Sequence, residues 1–154
     1  MKCDYRFMKK QNDVIDNLIQ TLKDGREGFK QAAESVSNPN LKSLFRDYSQ
    51  QRSRFANALQ SEARRQRETD PETSSSSTGA LHRGWINLKS AITGSDEHAI
   101  LAECERGEDS AVEEYKKALE DGLTPSTQEL VSRQFAGIKA AHDRIKSLCD
   151  AAKG

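Results

Sequence analysis

Apolar residues fall on a helical period along most of the chain. Val14, Ile15, Leu18, Leu22, Phe29, Ala32, Ala33 and Val36 recur mainly at steps of three, four and seven. That spacing puts them on one face of a helix spanning about residues 12–36. Asn38-Pro39 predicts a restart, with Asn as N-cap and Pro at the first helical position. Leu41, Leu44, Phe45, Tyr48, Phe55, Leu59 and Ala63 mark a second helix over 39–68. So short a connection predicts antiparallel neighbours. Leu81, Trp85, Leu88 and Ile92 predict a short amphipathic helix over 80–92, stopped by Thr93-Gly94. Ser95-Asp96-Glu97 caps a further long helix over 96–121, with Ile100, Leu101, Cys104, Ala111, Tyr115, Ala118 and Leu119 inward and Gly122 at its end. Thr124-Pro125 opens the last helix, 125–151, with Ser126 and Glu129 at capping-box spacing. Its inner face reads Leu130, Val131, Phe135, Ile138, Ala141, Ile145 and Leu148. The expected fold is all-α: one domain over 1–154, built as two helical hairpins paired in an antiparallel four-helix bundle.

Between the hairpins the composition changes abruptly. Thr69-Asp70-Pro71-Glu72-Thr73 is followed by four serines, Thr78 and Gly79, which reads as a linker over 69–79. Its length permits a long crossover between the second and third long helices. A hydrophobic share of only 34% suits thin amphipathic helices around a narrow core. Lys plus Arg and Asp plus Glu balance at 24 each, so no basic excess points to nucleic acid or a membrane surface as partner. Cys3, Cys104 and Cys149 are odd in number and show no Cys-x-x-Cys spacing, against a disulfide framework or a zinc site. With neither an apolar leader nor a stretch near the ~20 apolar residues of a membrane span, the expected compartment is the cytoplasm.

An offset of 86 residues superposes the two hairpins. Phe29-Lys-Gln-Ala-Ala-Glu34 lies over Tyr115-Lys-Lys-Ala-Leu-Glu120, and Pro39 lies over Pro125. Leu44 meets Leu130, Phe45 meets Val131 and Leu59 meets Ile145. The shared Pro at the hairpin turn is the most informative match. Two repeated hairpins with a long middle crossover describe the ferritin-like arrangement.

Four segments carry a family resemblance. They are Asp24-Gly25-x-Glu27-Gly28-Phe29-x-x-Ala32-Ala33-Glu34, Gly79-Ala80-Leu81-His82-Arg83-Gly84-Trp85-Ile86-Asn87-Leu88-Lys89, Ala102-Glu103-Cys104-Glu105-Arg106-Gly107-Glu108-Asp109 and Ala140-Ala141-His142-Asp143-Arg144-Ile145. Together they resemble a bacterial family of ferritin-like four-helix-bundle proteins of unknown function, over about residues 12–150. The resemblance implies the ferritin-like fold and no established activity.

A di-iron carboxylate bundle takes a Glu from each of two helices and a Glu-x-x-His from each of the other two. No Glu-x-x-His occurs here. The last long helix offers Lys139-x-x-His142 and the second Gln51-x-x-Arg54. Glu108 stands two turns before Tyr115, where a ferritin-like Glu would fall, but its repeat counterpart is Leu22. Lys139 and Arg54 are therefore expected to supply positive charge in the core opposite Glu105 or Glu108. No cofactor is expected. The alternative is a non-standard carboxylate–His site for iron or manganese built from Glu108, Glu105 and His142. Trp85, with Leu81 and Leu88, reads either as an interface anchor or as a plug for the open end of its own bundle. The leading expectation is a non-enzymatic bundle that acts through self-association, as a dimer or larger, or through a protein partner.

Overall fold

The structure, a computed structural model, describes residues 5–67, 85, 87–94 and 96–153. Among the described residues, four long helices and one short helix are present: α1 (Tyr5–Ser35), α2 (Pro39–Arg67), α3 (Leu88–Thr93), α4 (Glu97–Glu120) and α5 (Pro125–Lys153). Among the described residues there is no strand. The ends follow local chemistry. The Asn38 side chain accepts the backbone N–H groups of Asn40 and Leu41 at 2.8 and 3.3 Å, and Pro39 opens α2. Asp96 caps α4 by accepting from the His98 N–H at 3.0 Å. After α4 the chain reverses through Gly122 at φ 77°, a left-handed conformation that glycine adopts without steric cost. Two local expectations change. The capping box at the start of α5 does not form, because the Ser126 hydroxyl donates to Glu62 at 2.9 Å and Glu129 pairs with Arg133. The short helix begins at Leu88; Leu81 and the stretch 80–84 lie outside the described residues.

Packing between the long helices is compatible with a bundle. α1 packs against α2 and α4, and α5 against α4 and α2. Side chains fix the directions. Asn17 near the start of α1 bonds Glu114 near the end of α4, and the Thr124 N–H just beyond α4 donates to Gln11 at 2.7 Å. Glu62 near the end of α2 accepts from Thr127 near the start of α5 at 2.8 Å, while Gln134 donates to the Phe55 carbonyl at 3.1 Å. Both inter-hairpin pairs are thus antiparallel. α2 and α4 consequently run parallel, diagonally across the array. The chain between Arg67 and Glu97 must then join opposite ends of the helices.

Every long helix keeps a seven-residue seam toward the interior. Leu18, Gly25 and Ala32 lie on α1, and Phe45, Arg52 and Leu59 on α2; Leu101, Glu108 and Tyr115 lie on α4, and Val131, Ile138 and Ile145 on α5. The core divides into two apolar clusters. One gathers around Leu18, Leu22, Leu59, Tyr115 and Ile138, the other around Phe29, Phe45, Trp85, Ile100 and Ile145. Arg52 and Glu108 occupy the seam between them.

Candidate functional site

Arg52 and Glu108 are 1% and 0% exposed. The guanidinium donates in parallel to both carboxylate oxygens, Nη1 to Oε1 at 2.6 Å and Nη2 to Oε2 at 2.8 Å. This bidentate geometry is the strongest form of such a pair. It also joins the two diagonal helices, whose backbones make no close approach of their own. Nε of Arg52 donates to Gln51 at 3.1 Å, and its guanidinium lies 5.2 Å from the Phe29 ring centroid, within cation–π range. Gly25 makes room on α1, since a Cβ there would meet the Arg52 side chain at 3.4 Å. Burial works against the guanidinium's charge. The Glu108 charge and the hydrogen bonds outweigh it and hold the Arg52 pKa above its ordinary value.

The surroundings confine reactivity. Burial, followed by the Glu108 and Glu103 charges, pushes the Cys104 thiol well above its ordinary range, so it stays protonated and is a poor nucleophile. Tyr115 is likewise pushed up by burial, and its hydroxyl donates to Gln134 at 2.8 Å.

A second built feature lies in the groove between α1 and α4. The Trp85 indole, 3% exposed, rests on Gly28 of α1 and Gly107 of α4. A Cβ would stand 2.4 Å from the ring at Gly28 and 2.2 Å at Gly107, so the slot exists only because both residues lack one. The Phe29 ring meets the indole edge-on with centroids 5.1 Å apart. Buried Glu103 accepts the Asn87 N–H at 2.8 Å and so fixes the segment as it enters α3. Leu88, 0% exposed, completes the seal. Farther along the same groove the floor is open, forming a cavity of about 190 Å³ lined by Lys10, Asp13, Val14, Asn17 and Glu114 among others.

These placements revise the sequence expectations residue by residue. Glu108 faces inward as expected, but its cation is Arg52. Arg54 is exposed because two residues turn a helix by about 200°, away from the seam. Lys139 is also exposed and pairs with Asp143 at 3.0 Å, one turn along α5. The candidate metal ligands do not converge. Glu108 is committed to Arg52 in the interior. His142 bonds Asp109 at 2.6 Å and Asp143 at 3.0 Å on the outer face, and Glu105 lines the outer α4/α5 groove with His98 and Cys149. Among the described residues, no three His, Cys, Asp or Glu side chains gather as a metal site would require. The Arg52 guanidinium takes both oxygens of Glu108, the carboxylate on the central seam, where a metal ligand would have to offer a free oxygen. Trp85 and Leu88 are buried inside the chain's own fold, in the α1/α4 groove. Leu81 lies outside the described residues. Arg52 was missed, although its signal was present: an arginine seven residues from both Phe45 and Leu59 holds a seam position.

Residues 10–121 match a family described as a domain of unknown function, DUF2383. The chain belongs to that family. The match runs from α1 to the end of α4 and so takes in Arg52, Glu108, Trp85 and both slot glycines. No curated protein matches the chain. No helix among the described residues is long and apolar enough to cross a membrane.

Proposed function

We propose that this chain is a ferritin-like bundle whose centre is filled by an internal ion pair in place of a metal pair. It acts by association, with a second copy or a protein partner, and not by catalysis. The observation that carries this reading is the bidentate Arg52–Glu108 pair, sealed from solvent between two apolar clusters. The antiparallel pairing of α1 with α4 and of α2 with α5, with the chain crossing between opposite ends, supports the ferritin-like arrangement.

Elemental analysis tests the central part. Protein purified without chelator, then incubated with iron, manganese or zinc and desalted, should retain less than about one-tenth equivalent of each, because a functional site binds stoichiometrically. Stoichiometric retention that is lost in a Glu108→Gln variant would overturn the proposal.

A further inference from the structure

Cys104 and Cys149 meet different surroundings. Cys104 is fully buried in the interior, where burial and two carboxylate charges keep its thiol protonated. Cys149, near the end of α5, belongs to the same apolar cluster but also lines the groove between α4 and α5. Its Sγ lies 3.7 Å from Nε2 of half-buried His98 in the first turn of α4, a hydrogen-bond distance for sulfur. The groove encloses about 360 Å³ and carries charges of both signs. Lys146 pairs with Asp150 at 3.6 Å, Arg106 with Glu103 at 3.5 Å and Asp109 with His142 at 2.6 Å, which leaves Glu105 as the remaining charged residue of its lining. Toward the interior the cluster around Cys149 is apolar, with Val36 and Leu41 among its members and the half-buried Tyr48 ring packed against it. The positive end of α4 and the negative end of α5 fall together here and offset each other. The imidazole is therefore the group that acts on this thiol directly.

We infer that Cys149 is a modification site: His98 draws the proton from its thiol, and the thiolate so formed is oxidised by a small hydroperoxide to a sulfenic acid. The thiolate, not the thiol, is the nucleophile. An ordinary thiol is only about 1% ionised at pH 6.5, so an adjacent base can raise its reactivity by up to about a hundredfold. Access selects the oxidant. Cys149 is 4% exposed, so its sulfur lies at the floor of the groove, within reach of a molecule of two oxygen atoms and closed to a bulky electrophile. The thiol proton passes to Nε2 and Sγ attacks one peroxide oxygen. The O–O bond breaks, its electron pair leaves on the second oxygen as hydroxide, and the imidazolium returns the proton to make water. Sulfur loses two electrons and the peroxide gains them. Cys104 is held protonated and so attacks the product poorly, which leaves the sulfenic acid as the end of the step.

Peptide-resolved mass spectrometry of the full chain tests the inference. Reduced protein, freed of reductant, is exposed to hydrogen peroxide with dimedone, which traps sulfenic acids, at pH 6.5 and pH 9.5. At pH 6.5 the Cys149 peptide should be labelled at least about tenfold faster in the wild type than in His98→Gln. At pH 9.5 the gap should shrink to within about threefold, because the thiol then ionises without the imidazole. A packing role for His98 would move both rates alike. The wild type gives a second reading that needs no variant: its Cys149 rate should fall less than about tenfold between pH 9.5 and 6.5, against about ninetyfold for an ordinary thiol. Labelling confined to Cys3 or Cys104 overturns the inference, as does a Cys149 rate that falls like that of an ordinary thiol. The inference does not rest on the reading that the chain acts by association, and metal retention is read independently of it.

Discussion

Shifted by the repeat of 86, Arg52 corresponds to Ile138 and Glu108 to Leu22. All four side chains are at most 1% exposed. One diagonal of the bundle is thus tied by an ion pair, and the equivalent positions on the other two helices hold two aliphatic side chains in the adjoining apolar cluster. The same scaffold accommodates both fillings. Two charges brought out of water cost several kcal/mol each, and their attraction recovers this only with good geometry and full hydrogen bonding. The apolar crossing carries no such debt. What the pair adds is constraint: the guanidinium reaches its carboxylate in one register only, whereas aliphatic side chains can slide. The groove between α1 and α4 is divided in a similar way. Gly28 and Gly107 hold Trp85 in one half, while Glu114, the repeat counterpart of Gly28, lines the half that is left open.

The comparison is broken most sharply by halving the charged crossing. Arg52→Ile brings in the side chain of the other crossing but strands Glu108 in the interior. A loss of about 3–5 kcal/mol in urea denaturation is expected. A loss below about 1 kcal/mol would mean that water or another cation reaches Glu108. Next in size is the slot. Gly107→Ala places a methyl group inside the indole's space, so Trp85 must leave or α4 must shift, at about 1–3 kcal/mol. Trp85 is the single tryptophan of the chain, so its emission should shift to the red as the ring becomes hydrated. Unchanged emission with unchanged stability would place the indole elsewhere.

The smallest effect comes from the surface tie between α4 and α5. Burial works against a charge on His142, but hydrogen bonds to Asp143 and Asp109 outweigh it, so its pKa is raised above 6.5. The stabilisation is therefore fully present below the unfolded value and is lost as pH rises through the folded one. His142→Gln should remove that slope from the thermal midpoint between about pH 6 and 8, with no more than a few tenths of a kcal/mol at stake after screening by solvent. A slope of opposite sign in the wild type would contradict the assignment.

The helices were legible because each is written in local terms. Asn38-Pro39 and Gly122 mark ends, and apolar residues seven apart mark faces. Glu108 was readable as an inward carboxylate on the same grounds, lying seven residues from both Leu101 and Tyr115. Its partner was misplaced because the Glu-x-x-His spacing of metal bundles drew attention to positions 54 and 139. The seam itself holds its polar residue at position 52. Periodicity fixes which residues face inward, but not which helices meet across the diagonal, and a charge pair between α2 and α4 depends on that. The Trp85 slot was hidden for a related reason. Its walls are single glycines on helices far apart in sequence, and no local pattern says that one indole lies against both.

The most direct test replaces the charged crossing with its own counterpart. Arg52→Ile combined with Glu108→Leu makes the two diagonals alike, and its unfolding free energy is set against wild type and both single variants. If the ion pair is a self-compensating filling of the bundle centre, the double variant should be neutral or more stable by about 1–4 kcal/mol, while each single variant loses about 3–5. A double variant that loses the sum of the two single losses would contradict it, because the two side chains would then act independently.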